Sequence, residues 1–152
     1  MATDGSKEID VLAKAKKEVA GDYFPSEDEP YMSEEQQDYF RLLLLTWKKS
    51  ILAASAGTLQ QLQDGPIREP DLNDRASSET EWSIELRTRD RQRKLIAKID
   101  SALRRIEEGE YGYCEVTGEP IGLGRLVARP VATMTVEAQE AHERREKVSR
   151  DD

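Results

Sequence analysis

Two long stretches without proline lie on either side of one abrupt stop. Asp64-Gly65-Pro66-Ile67-Arg68-Glu69-Pro70 places two prolines and a glycine within seven residues, and a helix cannot continue through that. Before the stop, Phe40, Leu43, Leu44, Trp47, Ile51, Ala54, Leu59 and Leu62 recur at spacings of roughly three and four. From Ser33 to about Gln63 this is one helix with one apolar stripe, interrupted only by Gly57. A second helix is expected from near Asp74 or Ser77 to about Glu108, with Trp82, Leu86, Ile96, Ile99, Leu103 and Ile106 along its seam. The last four follow spacings of three, four and three, a coiled-coil signature, and Gly109 and Gly112 end the run. Neither stripe can be buried alone. The sharp turn between them predicts an antiparallel hairpin, about 30 residues and roughly 45 Å to each arm. Two helices inside a compact bundle are the other arrangement the pattern allows. Composition favours the hairpin: hydrophobic residues make up 37% and charged residues 36%, against about 45–50% and about 25% for a compact globule. That is enough apolar material for a narrow seam and too little for one thick core.

The flanks differ in character. Glu8 to Val19 reads as a short helix with Ile9, Leu12 and Val19 near one face, followed by the acidic loop Glu27-Asp28-Glu29-Pro30-Tyr31-Met32. Ser33 is a favoured N-cap, and Gln36 holds the reciprocal capping-box position. Past the hairpin, residues 111–122 read as two short strands around the turn Thr117-Gly118-Glu119-Pro120. A last helix is expected from about Thr135, which can cap it, to about Arg150. The divisions predicted are therefore 1–32, 33–109 with a tip at about 65–76, 110–134, and 135–152.

Charge and residue inventory exclude several functions. With 23 Lys+Arg against 31 Asp+Glu the formal net charge is −8, unlike the basic surface a direct DNA binder needs. One cysteine, Cys114, permits no intrachain disulfide, and with one histidine, His142, no Cys/His zinc site of the usual structural kind. No apolar run approaches the ~20 residues of a membrane helix, and the N-terminus lacks the pattern of a signal peptide, so a cytoplasmic protein is expected. No phosphate-binding loop or dinucleotide fingerprint occurs, and an enzyme is not expected.

Two groups of residues carry candidate chemistry. Asp71 and Asp74 stand at the hairpin tip in Asp71-Leu72-Asn73-Asp74-Arg75-Ala76. They can approach a metal or a basic site on a partner, or Asp74 can simply cap the second helix. Arg87, Arg91, Lys94 and Lys98, at spacings of four, three and four, form a basic stripe. The stripe suits phosphates or an acidic partner, or is a solvated face with internal pairs such as Glu85–Arg89 and Asp90–Lys94.

The tip segment, Glu85-Leu86-Arg87-Thr88-Arg89-Asp90-Arg91-Gln92-Arg93-Lys94-Leu95-Ile96, Glu110-Tyr111-Gly112-Tyr113-Cys114-Glu115, Gly118-Glu119-Pro120-Ile121-Gly122 and Arg125-Leu126-Val127-Ala128-Arg129-Pro130 together resemble the DksA/TraR family of bacterial transcription factors. The resemblance covers roughly residues 33–147, in order and spacing. It implies a mainly α fold: a long antiparallel coiled-coil hairpin, a small zinc-finger-like globular region and a C-terminal helix. It also implies binding to RNA polymerase rather than sequence-specific DNA, with the coiled coil in the secondary channel and the acidic tip near the catalytic centre. The family destabilises promoter complexes, inhibits ribosomal RNA promoters, activates some biosynthetic promoters, and works with the alarmone ppGpp in the stringent response. By this resemblance Asp71, Asp74 and Ala76 match the tip motif, and Arg91, Leu95, Lys98 and Arg129 match the ppGpp site at the polymerase interface. Guanidinium and ammonium groups suit its phosphates. Gln139 stands where the family has a basic residue, which removes one cation.

The largest departure from the family is at the metal. The family's two Cys-x-x-Cys pairs correspond here to Cys114, Thr117, Thr135 and Ala138. Thr and Ala cannot replace thiolate ligands, so the expectation is a globule without zinc, held by Tyr111, Tyr113, Ile121, Leu126, Val131 and Met134, with no tightly bound cofactor and little sensitivity to mild thiol oxidants. A monomer is expected, because the hairpin satisfies its own seam. Two other functions fit parts of the pattern: a channel factor that stimulates transcript cleavage through magnesium on the tip carboxylates, and a coiled-coil scaffold with no polymerase partner.

Overall fold

The structure is a computed structural model that describes residues 4–64 and 72–151, with side chains described for 10–56 and 79–149. Five helices follow one another: α1 Asp4–Val19, α2 Glu34–Asp64, α3 Leu72–Glu108, α4 Leu123–Ala128 and α5 Val136–Asp151. The chain divides into two compact units built from separate segments. One comprises residues 1–20 and 45–99, the other residues 21–44 and 100–152.

The long helices are the two the apolar stripes predict. α2 stops at Asp64, where the Gly-Pro-rich segment begins. Its buried stripe is Phe40, Leu43, Leu44, Trp47 and Ile51. Ala54 of the predicted stripe is exposed, and the side chains of Leu59 and Leu62 lie outside the described residues. Polar contacts give the pairing sense. Within the first unit Ser55 Oγ meets Gln92 Oε1 at 2.7 Å, and within the second Arg41 Nε meets Glu107 Oε1 at 3.3 Å. Later residues of α2 pair with earlier residues of α3, which is the antiparallel arrangement of the predicted hairpin.

The seam of α3 differs from the one read by hydrophobicity. Ile99, Ala102 and Ile106 are buried, and the part-buried Thr88, Gln92 and Leu95 extend the same spacing of four and three. Leu86 is 44% exposed, while Ile96 and Leu103 flank the seam at intermediate exposure. Large apolar residues beside a seam masked the small and polar ones that occupy it. α3 also starts earlier than predicted, at Leu72, so Asp74 lies within its first turn rather than capping it.

Helix ends follow local chemistry. Ser33 Oγ accepts the Gln36 N–H at 3.3 Å, the predicted N-cap. The return bond goes elsewhere: Gln36 Oε1 accepts from the Met32 N–H at 2.8 Å, not from Ser33. Gln36 is fully buried, and its Nε2 donates to the Ser26 carbonyl at 3.0 Å, so one amide ties the preceding loop to α2. α3 closes in a Schellman arrangement, with Gly109 at φ 75. The Glu110 N–H donates to the Arg105 carbonyl at 2.8 Å and the Gly109 N–H to the Ile106 carbonyl at 3.2 Å.

The predicted strand pair is reduced to a single antiparallel bridge, Tyr113 to Pro120. Two backbone bonds of 2.8 Å flank it, Cys114 N–H to the Glu119 carbonyl and Ile121 N–H to the Gly112 carbonyl. Pro120 has no N–H to offer, so the ladder ends there. The short helix α4 follows at once. It ends at Arg129, whose backbone is extended (φ −141, ψ 86), as expected before a proline.

Candidate functional site

The C-terminal globule is organised around aromatic residues from two parts of the chain. Tyr23, Tyr39, Phe40 and Tyr111 form a chain of rings with centroids 6.4, 5.3 and 5.5 Å apart. Each such contact adds about 0.5–1.5 kcal/mol to the burial itself. Tyr111, Ile121, Leu126 and Val131 of the predicted core are buried, whereas Tyr113 and Met134 are half-buried. The Tyr111 hydroxyl donates to the Pro130 carbonyl at 2.7 Å, and burial pushes its ionisation well above the usual tyrosine range.

Tyr31, within the acidic segment, ties the loop before α2 to the globule. Its hydroxyl donates to the Gly112 carbonyl at 2.6 Å and accepts the Gly122 N–H at 3.0 Å. Burial raises its pKa. Its ring packs edge-on against Tyr113 at 5.6 Å. Glycine is required at 112 on two counts: φ is +93, and a Cβ would lie 2.8 Å from Met32 Cγ and Sδ. In the acidic loop, Glu29 accepts from the Tyr23 hydroxyl at 2.8 Å and from the Ser26 N–H at 2.9 Å. Burial and the Glu29 carboxylate push the Tyr23 phenol up to about 12. Glu29 is thus a structural acceptor, while Glu27 and Asp28 are exposed.

Three of the four positions of the degenerate metal site are buried. Cys114 is 3% exposed, Thr135 7% and Ala138 8%, with Thr117 at the surface. Burial alone would resist ionisation of the Cys114 thiol. Hydrogen bonds from the Thr117 hydroxyl and from the backbone N–H groups of Thr135, Thr117 and Val116 outweigh it and bring the thiol down to about 7. Thr135 Oγ1 accepts the Ala138 N–H at 3.1 Å, so the residue predicted to cap α5 does so. Among the described residues no group of three His, Cys, Asp or Glu side chains could hold a metal ion. One thiol, two hydroxyls and a methyl are not a zinc ligand set.

The other predicted residues fall as follows. Asp71 lies outside the described residues; Asp74 and Ala76 belong to the first turns of α3. Arg91, Leu95 and Lys98 lie on α3 in the first unit at helical spacings of four and three, and Arg91 and Lys98 are exposed. Arg129 is exposed in the second unit, and its N–H donates to the Arg125 carbonyl at 2.7 Å. Gln139 donates to Glu143 at 3.1 Å along α5. In the basic stripe Lys94 pairs with Asp90 at 3.1 Å, as predicted. Hydrogen bonds from Lys94 and Arg93 hold the Asp90 carboxyl below its usual range. Arg87, Arg91, Lys94 and Lys98 all remain exposed. His142 is half-exposed and meets Glu146 at 3.0 Å, as expected of a surface histidine. Among the described residues no helix is long and apolar enough to cross a membrane.

Comparison with known proteins agrees with this architecture. Residues 36–106 match the family described as the N-terminal domain of the DnaK suppressor protein DksA. Residues 109–144 match the prokaryotic dksA/traR C4-type zinc finger. The RNA polymerase-binding transcription factor DksA of Caulobacter vibrioides is 66% identical over 131 residues, which covers 86% of this chain and 92% of that protein. Its counterpart in Escherichia coli K12 is 43% identical over 119 residues, 78% of this chain and 79% of that one. Transcription factor DksA2 of Pseudomonas aeruginosa has a solved structure that superposes with a TM-score of 0.70 at 42% identity, covering 92% of this chain and 98% of that one. With both halves matched in order, and with relatives aligned over most of their length, the chain belongs to the DksA/TraR family.

Proposed function

We propose that this protein is a transcription regulator that binds bacterial RNA polymerase. The observation that carries the reading is the 66% identity, across 92% of its length, to the Caulobacter RNA polymerase-binding transcription factor. The hairpin of α2 and α3 enters the secondary channel, and its tip at about residues 65–76 presents Asp71, Asp74 and Ala76 to the catalytic region. Promoter complexes are destabilised, ribosomal RNA promoters are inhibited, and some biosynthetic promoters are activated. The effector ppGpp binds at the polymerase interface beside Arg91, Leu95, Lys98 and Arg129. The exposure of Arg91, Lys98 and Arg129 supports this, since phosphate contacts need accessible cations. Gln139 contributes no charge there, and the response to ppGpp is correspondingly weaker. The protein acts as a cytoplasmic monomer, is not an enzyme, and its globule holds no zinc.

In vitro transcription from a ribosomal RNA promoter, with the parent protein and Asp74→Asn, each with and without ppGpp, tests this reading. Inhibition by the parent, lost in a variant that still binds polymerase, is the expected result. A parent that binds polymerase and inhibits nothing would refute the regulatory mechanism, and one that fails to bind would refute the partner. An unchanged ppGpp response after Lys98→Ala and Arg129→Ala would refute the effector site.

A further inference from the structure

The net charge of −8 is divided unevenly between the two compact units. Residues 1–20 and 45–99 carry 14 Lys+Arg and 12 Asp+Glu, a net of +2, while residues 21–44 and 100–152 carry 9 and 19, a net of −10. Within each unit one stretch concentrates its sign. Residues 21–44 hold seven acidic groups and one basic, Arg41, which meets Asp38 at 2.6 Å and Glu107 at 3.3 Å. Residues 84–98 of α3 hold six basic groups and two acidic, of which Asp90 pairs with Lys94 at 3.1 Å.

A run of charge is ordinarily a solvated face, but here each stretch also exposes large apolar side chains. On the acidic one, Glu35, Tyr39 and Leu42 succeed one another along one face of α2 at spacings of four and three. Phe24 sets its ring edge-on against Tyr39 with centroids 5.7 Å apart. Beyond that contact Phe24 remains 61% exposed, and Leu42 is 52% exposed. The same segment exposes Asp22, Glu27, Asp28, Glu34, Glu35 and Asp38. On the basic stretch, Ile84, Arg87, Arg91, Lys94 and Lys98 share one face of α3 at spacings of three, four, three and four. Ile84 is 48% exposed, Leu86 beside it in sequence 44%, and the four cations are exposed. Two apolar side chains set among carboxylates therefore match two set among cations.

We propose that the acidic face of one copy docks on the basic face of α3 in a second copy, pairing the chains head to tail. A second copy is the occupant because the chain itself carries both complementary surfaces. The net charge does not prevent this: charges further apart than a Debye length of about 8 Å at physiological ionic strength are largely screened, so the facing groups dominate. Pairing covers Arg91 and Lys98, the cations given to ppGpp at the polymerase interface, so the pair is a reserve that dilution releases by mass action. That consequence rests on the polymerase function, whereas the pairing does not.

Sedimentation velocity of the full chain across a range of concentrations tests the pairing with no polymerase present. The weight-average mass is expected to rise with concentration. The dissociation constant is expected to weaken about tenfold as ionic strength goes from about 0.1 M to about 1 M and the Debye length falls from about 10 Å to about 3 Å. Two charge-reversed chains, Glu27→Lys/Glu35→Lys and Arg87→Glu/Lys98→Glu, are each expected to stay monomeric. Mixed, they are expected to associate, because the acidic face of one and the basic face of the other have exchanged signs. Both variants keep a net negative charge, so overall attraction cannot account for a mixed pair. Leu42→Gln is expected to weaken pairing severalfold. A parent that is monomeric at every concentration, pairing that high salt leaves unchanged, or a mixture that stays monomeric overturns the proposal. So does a charge-reversed chain or a Leu42→Gln chain that pairs with itself as the parent does.

Discussion

Replacing Gly112 by alanine should separate two effects the structure superimposes at one atom. A Cβ at this φ of +93 is disfavoured on backbone grounds, and the same Cβ would meet Met32 Cγ and Sδ at 2.8 Å and the Tyr31 hydroxyl at 3.2 Å. The left-handed conformation costs a non-glycine residue about 1–2 kcal/mol. Forcing a methyl into a filled space costs about 1–3 kcal/mol. Gly112→Ala should therefore destabilise by about 2–5 kcal/mol. Met32 is 8% exposed, so Met32→Ala opens a cavity and by itself costs about 2 kcal/mol or more. In the double variant the new methyl occupies space the thioether has vacated, and the backbone penalty and the contact with the Tyr31 hydroxyl remain at 112. The two changes should then couple favourably by about 1–3 kcal/mol. Urea unfolding of the four proteins, followed by far-ultraviolet circular dichroism, closes the cycle. Additive losses would show that the methionine does not press on position 112, and a negligible cost for Gly112→Ala would refute both parts of the reasoning.

Other perturbations test single contacts. Tyr111→Phe removes the donor to a buried carbonyl 2.7 Å away and should cost about 1–3 kcal/mol in the same assay, with the ring packing kept. Tyr31→Phe removes one of the two donors to the Gly112 carbonyl, which keeps the Ile121 N–H, and takes the acceptor from the Gly122 N–H, and hydrogen exchange at Gly122 should accelerate. The Cys114 thiol ionises at about 7 in the fold, below its ordinary value of about 8.5. The folded state therefore favours the thiolate, and its stabilisation is present above the ordinary value and is lost as pH falls through 7. The melting temperature should rise between pH 6 and 9 by an amount equivalent to roughly 1–2 kcal/mol, and Cys114→Ser should flatten that rise.

The two long helices and their pairing sense were legible because apolar spacing and a hard Gly-Pro stop are local signals. Phe40, Leu43, Leu44, Trp47 and Ile51 needed nothing else to be identified as buried. The seam of α3 was harder, since Ala102 and Gln92 carry no hydrophobic signal and act through small size or a cross-helix bond to Ser55. Position 120 shows why the strands failed: a proline that reads as a turn residue also removes the donor the next rung needs. Tyr31, 81 residues from Gly112 in sequence, could not be paired with it by any local rule. The metal positions were visible only by resemblance, and the structure gives the two threonine hydroxyls local backbone donors, the Glu119 N–H for Thr117 and the Ala138 N–H for Thr135.

The division into two compact units has an optical consequence. Both tryptophans, Trp47 and Trp82, fall in the unit of residues 1–20 and 45–99, and all five tyrosines, 23, 31, 39, 111 and 113, fall in the other. Each unit thus carries its own chromophore. The Trp47 indole is 4% exposed, and its N–H lacks an acceptor among the described residues, so its emission should be blue-shifted while that unit is folded. Selective excitation of indole follows the first unit, and the tyrosine bands of near-ultraviolet dichroism follow the second. Without a dye or a mutation, coincidence of the two curves measures whether the units melt as one cooperative body.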